Sequence, residues 1–334
     1  MKKFLALIIG LVVVMSLFTA CSSGGGKAKT GLAIVTSTDN SSKDAGEEEG
    51  LAQADSTAVA VLVDSKGVIT NCVIDVVQTK TKFNAAGEVT TDLASEFKSK
   101  HLLGEDYDMR KASPIGKEWF EQADALAEYV TGKTLKEVQG IAVDGGYPTA
   151  DDLTSSVTIN IGAMISAIEK AVNNAQELGA SADDKLGLGI VGKLHNSTKN
   201  ASAEGDGAAT AYSHYATVSI DKNGKITSSI VDASQATVNF NVEGKITTDF
   251  ANTVYESKIE LGDRYDMKKA SPIGKEWFEQ SKAFSDYIAG KTIAEVTGIA
   301  VDGGYATDAD LTSSVTIGIA DMITAVDRAG SAAK

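Results

Sequence analysis

Cysteine is nearly missing from this chain: 334 residues hold two, Cys21 and Cys72. That scarcity excludes a disulfide framework, a CxxCH haem attachment and a cysteine-held iron–sulfur cluster. Any redox chemistry must then come from an organic cofactor or from a metal held by oxygen ligands. Positive charge is also short. Lys and Arg number 31 against 45 Asp and Glu, a formal net charge of -14. A nucleic-acid partner needs basic patches and is not expected, and lying flat on an anionic lipid surface is disfavoured. The acidity by itself indicates solubility and names no partner. Walker loops, dinucleotide fingerprints and Ser-His-Asp arrangements are lacking too; Asp144-Gly145-Gly146 does not have the required spacing. No catalytic residue and no metal ligand is assigned.

The one long hydrophobic run is at the start. Lys2 and Lys3 precede an apolar stretch from Phe4 to Phe18, followed by Thr19, Ala20 and Cys21. This reads as a signal peptide over residues 1–20, since the run is shorter than the ~20 residues a spanning helix needs. Leu17-Phe18-Thr19-Ala20-Cys21 resembles a bacterial lipobox, which implies lipidation of Cys21. Ser22-Ser23-Gly24-Gly25-Gly26 then fits a flexible tether over residues 21–30.

The rest of the chain repeats itself. Leu103 to Thr158 and Leu261 to Thr316 align without a gap and match at 40 of 56 positions. Further upstream, Gly31-Leu32-Ala33-Ile34-Val35 answers Gly187-Leu188-Gly189-Ile190-Val191. The period is much longer than that of solenoid repeats, so each copy is expected to be a domain with its own core. The expected boundaries are 31–176 and 187–332, with a linker over 177–186.

Within each copy strands come first and helices after, which predicts an α+β fold. Thr57–Val63 and Val68–Val77 are β-branched runs joined by Asp64-Ser65-Lys66-Gly67, answered by Asp221-Lys222-Asn223-Gly224. A helix is predicted from Ser113 as N-cap and Pro114, with Ile115, Trp119, Phe120, Ala123, Leu126 and Val130 on one stripe and Gly132 as its end. Thr134 with Glu137, and Thr292 with Glu295, read as capping boxes of a second short helix. Gly140-Ile141-Ala142-Val143 reads as a buried strand. The last helix of the first copy is expected to carry Val157, Ile161, Met164, Ile165, Ile168 and Val172 on its apolar face.

Asp152-Leu153-Thr154-Ser155-Ser156-Val157-Thr158 recurs letter for letter as Asp310-Leu311-Thr312-Ser313-Ser314-Val315-Thr316. The segment resembles the flavinylation motif of FMN-binding domains. There a flavin transferase, using FAD and a divalent metal, joins FMN phosphate to the final Ser or Thr hydroxyl. The resemblance implies two phosphoester-linked FMN groups, on Thr158 and Thr316. It also implies recognition through Asp152, Ser155 and Ser156, and through Asp310, Ser313 and Ser314. This chain has Ser-Val where the commonest form has Gly-Ala. The acceptors are expected on the first turn of the last helix, where free N–H groups and the helix dipole favour a phosphate.

The wider likeness, anchored on Ser113-Pro114-Ile115-Gly116-Lys117-Glu118-Trp119-Phe120 onward, is to two-domain flavinylated lipoproteins of the PplA type. It implies a lipid-anchored electron relay on the outer face of the cytoplasmic membrane. A membrane quinol or dehydrogenase would donate, and extracellular acceptors such as ferric iron would receive. The alternatives are a solute-binding lipoprotein of a transporter and a surface scaffold without cofactor.

Other residues invite functional readings. Trp119 and Trp277 read as core anchors more readily than as flavin-stacking rings. Tyr147 and Tyr305 could meet a ring, and Asp144 and Asp302 fit turn positions. His101, His195 and His214 have no histidine at the matching place in the other copy, so a shared metal site is not expected. Cys72 reads as a small strand residue.

Overall fold

The structure, a computed structural model, describes residues 26–38 and 41–334. The segment read as a signal peptide and Cys21 lie outside the described residues. The fold is mixed α/β, built on antiparallel sheets. In the first half, β1 (Ala28–Ser37), β2 (Gly50–Asp64) and β3 (Ile69–Phe83) form a meander in the order β1-β2-β3. After β4 (Glu96–Phe97) come α1 (Lys100–Leu103), a 3-10 turn (Gly104–Tyr107), α2 (Trp119–Val130) and α3 (Leu135–Gln139). The hairpin of β5 (Val143–Asp144) and β6 (Tyr147–Pro148) precedes α4 (Asp151–Thr154) and α5 (Gly162–Asn173).

The second half runs through the same order. It comprises β7 (Lys185–Leu194), β8 (Gly207–Ile220), β9 (Ile226–Phe240), α6 (Lys258–Leu261) and a 3-10 turn (Gly262–Tyr265). Then come α7 (Trp277–Ile288), α8 (Ile293–Thr297), β10 (Val301–Asp302), β11 (Tyr305–Ala306), α9 (Ala309–Thr312) and α10 (Ala320–Ala332). β4 of the first half pairs with β7, so the second sheet has the order β4-β7-β8-β9.

Strand alternation sets the layers. Val59, Val61, Val63, Ile74 and Val76 face Trp119, Leu126, Met164 and Ile168 of the helices in one core, and the second half builds an equivalent core around Trp277, Phe284 and Met322. The alternate residues Ala58, Ala60 and Leu62 face the other way. They meet Leu186, Leu188, Ile190 and Tyr215 in a third core shared by both sheets. The layers are therefore helix, sheet, sheet, helix. At one end Phe83 stacks on Phe240, with ring centres 4.2 Å apart and planes 6° apart. Ala45 N–H donates to Gly244 O and Ala201 N–H to Gly87 O, a reciprocal pair across the two halves. β1 already begins at Ala28, inside the segment read as tether, and Ala28 N–H donates to Ala180 O of the segment read as linker.

Three local expectations are corrected. The predicted helix does not start at Ser113. Ser113 to Lys117 form turns with Gly116 at φ 63°, and α2 begins at Trp119 behind Glu118, whose side chain caps it while Glu121 returns to the Glu118 N–H. Gly140 to Val143 is not a buried strand. Only Val143–Asp144 pairs, and it is exposed, because Gly145 (φ 55°) and Gly146 (φ 87°) turn it straight back. The last helix begins at Gly162, so Val157 and Ile161 reach the core from the loop before it. The two Asp-to-Gly hairpin turns, the Thr134 and Thr292 capping boxes and the Gly132 stop are all present.

Candidate functional site

The duplicated motif sits the same way in both halves. Asp152–Thr154 and its counterpart form one-turn helices α4 and α9, and Ser156 and Ser314 donate back to Leu153 O and Leu311 O, tightening the turn. Leu153, Val157, Leu311 and Val315 are buried and peg the segment to the core. Asp152, Ser155, Asp310 and Ser313 stay exposed, and Tyr129 Oη donates to Asp152 Oδ2 at 3.1 Å. Thr158 and Thr316 then fall in the loop, half-buried, four residues ahead of α5 and α10. The expectation that they occupy the first turn of those helices is thus corrected. The helix dipole is not what holds them.

A buried glutamine holds them instead. Gln122 Oε1 accepts from Thr158 N–H at 2.7 Å and from Thr158 Oγ1 at 3.2 Å. Gln280 Oε1 accepts from Thr316 N–H at 2.8 Å and from Thr316 Oγ1 at 3.1 Å. Each amide nitrogen is spent on fixed partners: Gln122 Nε2 on Ser113 Oγ and Lys117 O, Gln280 Nε2 on Ser271 Oγ and Lys275 O. Because both donors are satisfied, the amide oxygen must face the threonine. The hydroxyl proton is pulled inward, which leaves the Oγ1 lone pairs toward solvent.

The loop before each helix is braced by a buried carboxylate. Glu118 accepts from Met109 N–H and Arg110 N–H, and Glu276 from Met267 N–H and Lys268 N–H. Burial would raise the Glu118 pKa, but the backbone donors and the Arg110 charge outweigh it and hold the carboxyl below its usual range. Asp108 and Asp266, both at φ 54°, let the chain turn into that carboxylate.

Beside Thr316 lies a cavity of about 510 Å³, within the range of small-molecule and cofactor sites. Trp277, Tyr212, Tyr265 and Tyr305 supply aromatic walls, and Gly303, Gly304 and Gly318 leave the rim low. Lys258 Nζ donates to Tyr212 Oη at 2.8 Å and stands 4.4 Å from the Tyr265 ring centre and 5.1 Å from that of Trp277. The corresponding Lys100 lies over Tyr107 and Trp119, at 4.6 and 4.8 Å.

No family model matches the chain, and no solved structure matches it. Among curated proteins, the chlorophenol reductase of Desulfitobacterium hafniense is 50% identical over 42 residues. That stretch is 13% of this chain and 13% of that protein.

Two of the histidines set aside on sequence grounds, His195 and His214, line the Thr316 cavity together with Asp321. They come, in that order, from just past β7, from β8 and from α10. Burial pushes His214 down to about 4, against the pull of Asp321, so it is neutral at pH 7. His101 is elsewhere, bridging Asp124 at 3.1 Å and Asp75 at 3.3 Å. Trp119 and Trp277 are core residues, and Trp277 also shows a face to the cavity. Tyr305 lines the cavity while half exposed, and Asp144 and Asp302 are exposed hairpin residues. Cys72 is buried on β3, where desolvation pushes its thiol up to about 12. Gln122 and Gln280 were missed. The signal was available, since each lies on the buried stripe of its helix, three residues after the tryptophan.

Proposed function

We propose that the two halves are tandem FMN-binding domains and that the chain relays electrons through two FMN groups, esterified to Thr158 and Thr316. The observation that supports this reading best is the duplicated glutamine clamp. It orients a threonine hydroxyl at the end of an exposed, identical recognition segment, and at Thr316 an aromatic-walled cavity of suitable size lies beside it. Bound there, FMN would supply reversible one- and two-electron chemistry.

The chain's own residues fit such a group. Gln280 and Ser271 fix the acceptor, Trp277 and Tyr265 offer flat faces, and the low Gly303-Gly304 rim leaves one edge open for exchange. Asp152, Ser155, Asp310 and Ser313 remain exposed, as a segment read by a flavin transferase with FAD and a divalent metal would require. With Cys21 lipidated, the relay would be anchored on the outer face of the membrane, between a quinol or dehydrogenase and extracellular acceptors such as ferric iron. Among the described residues no helix is long and apolar enough to cross a membrane.

The test is co-production with a flavin transferase, followed by denaturing electrophoresis and intact mass. Two FMN groups should be found, with one lost in Thr158→Ala and the other in Thr316→Ala. Flavin retained by the double variant after denaturation would refute the assignment.

A further inference from the structure

The surroundings of the two acceptors differ where the repeat would make them alike. In the second half Tyr212 stands at the register position that Asp55 holds in the first, paired with Gln235 as Asp55 is with Gln78. His214 replaces Thr57, and Asp321 replaces Ala163. Lys100 and Lys258 are retained at matching places, but their company has changed. Lys100 feels the charges of Asp55 and Asp75. Lys258 is 3% exposed, lines the cavity and spends its hydrogen bond on the Tyr212 phenol.

We propose that Lys258, with Tyr212 as its partner, is the proton donor and acceptor for the redox group held at Thr316, so that this site couples electron uptake to proton uptake and the Thr158 site does not. The proposal rests on the flavin reading above. With FMN held there, a hydroquinone-class donor would supply two electrons and release its two protons to water. Lys258 would give one Nζ proton to the reduced group and regain it from water at the open rim, and oxidation would return that proton to the amine.

The electrostatics around Lys258 suit that role. Burial pushes its amine down to about 7, opposed by Asp232 on β9. An amine near neutrality can both give and take a proton at working pH. Lys100 is lowered by burial to about 8, and two carboxylates, Asp55 and Asp75, oppose that burial where Lys258 has Asp232 alone. Burial lifts the Tyr212 phenol well above its ordinary range, with Tyr265 and Asp321 adding to the rise, so it stays protonated and can hand a proton on. His195, lowered by burial and by the Lys258 charge, and His214 are poor competitors for the proton, whereas burial lifts the Asp232 carboxyl to about 7, into the range of Lys258 itself. Asp321 is committed to Lys193, at 2.5 Å.

The experiment uses the full chain made with the transferase, as Thr158→Ala, which leaves only the Thr316 site, and as Thr316→Ala. Intact mass comes first: no FMN in either variant would overturn the flavin reading and this proposal with it. Where FMN is present, reduction by dithionite, which delivers electrons without protons, is timed in H2O and D2O. The Thr316 site should be clearly slower in D2O, and Lys258→Met should slow reduction and remove the solvent dependence. The Thr158 site should reduce at similar rates in both solvents. Equal solvent effects at the two sites, or an unchanged effect in Lys258→Met, would overturn the proposal while leaving the flavin reading intact. A second readout needs no flavin. In the unflavinylated chain, NMR titration of labelled lysines should find Lys258 titrating near neutrality and moving up in Tyr212→Asp. Titration alongside the surface lysines would overturn the proposal.

Discussion

A glutamine inside an apolar helical stripe is costly unless all its hydrogen bonds are met. Gln122 and Gln280 meet theirs with Thr158 or Thr316 on one side and the Ser113 or Ser271 loop on the other. The proposed acceptors, Thr158 and Thr316, are marked by a motif written in consecutive letters. The clamp was not legible, since it joins residues 36 apart and a stripe read for apolar letters passes over it. Gln280→Leu should leave the Thr316 N–H without its acceptor and remove the donor that ties Ser271 Oγ and Lys275 O to the helix, at a cost of about 1–3 kcal/mol. Loading at Thr316 should drop sharply in quantitative mass spectra while loading at Thr158 persists; equal loading would refute the clamp. A second residue-scale prediction concerns His101. Burial would lower its pKa, but the hydrogen bond to Asp124 and the charge of Asp75 raise it to about 9. A raised folded pKa stabilises fully below about pH 6.5 and is lost as pH rises through about 9, a contribution on the order of 2–3 kcal/mol. In urea unfolding, the advantage of the native chain over His101→Ile (the residue present at 259) should shrink between pH 6.5 and 9.5. An advantage constant with pH would count against the ion pairs.

At the scale of elements, periodic signals were read well and punctuation less so. Strand alternation and the short capped helices follow from local chemistry and stand where they were expected. Ser113-Pro114 looks like a helix start, but the carboxylate of Glu118, five residues after Ser113, takes the capping role because it also serves Met109 and Arg110 N–H, a demand that propensity does not register. The glycines of β1 and β7 mark another such demand. A Cβ at Gly187 would lie 1.8 Å from Ala329 O of α10, and one at Gly31 would lie 2.0 Å from Ala171 O of α5. The last helix of each half therefore lies directly on its first strand. Gly187→Ala should destabilise by at least about 1–3 kcal/mol, since the obstacle is backbone and cannot swing aside. Gly205→Ala, where a Cβ meets nothing within 4 Å, is the control. Equal denaturation midpoints for the two would contradict the contact.

For the whole molecule, the internal repeat implies two units, and two helix-covered cores are present. The shared core between the sheets was not legible. Ala58, Ala60 and Leu62 alternate with Val59, Val61 and Val63, and that pattern marks a strand buried on both faces without saying what covers the second. The answer is the other half. Leu186, Leu188, Ile190 and Tyr215 fill that side, Thr30 Oγ1 meets Ser228 Oγ at 2.6 Å, and β4 of the first half extends the second sheet. Lys334 reaches back to Asp124 at 2.7 Å and Arg328 to Glu96 at 2.6 Å. The halves should therefore melt together. The full chain is expected to show one calorimetric transition with matching van't Hoff and calorimetric enthalpies. A fragment covering residues 185–334 would bare an apolar sheet face and should self-associate, and mixing it with a fragment ending at residue 184 should restore a one-to-one complex on size exclusion. If the fragment is instead a soluble monomer that melts cooperatively, the shared core is dispensable. Each half would then carry its glutamine-clamped threonine as an independent unit.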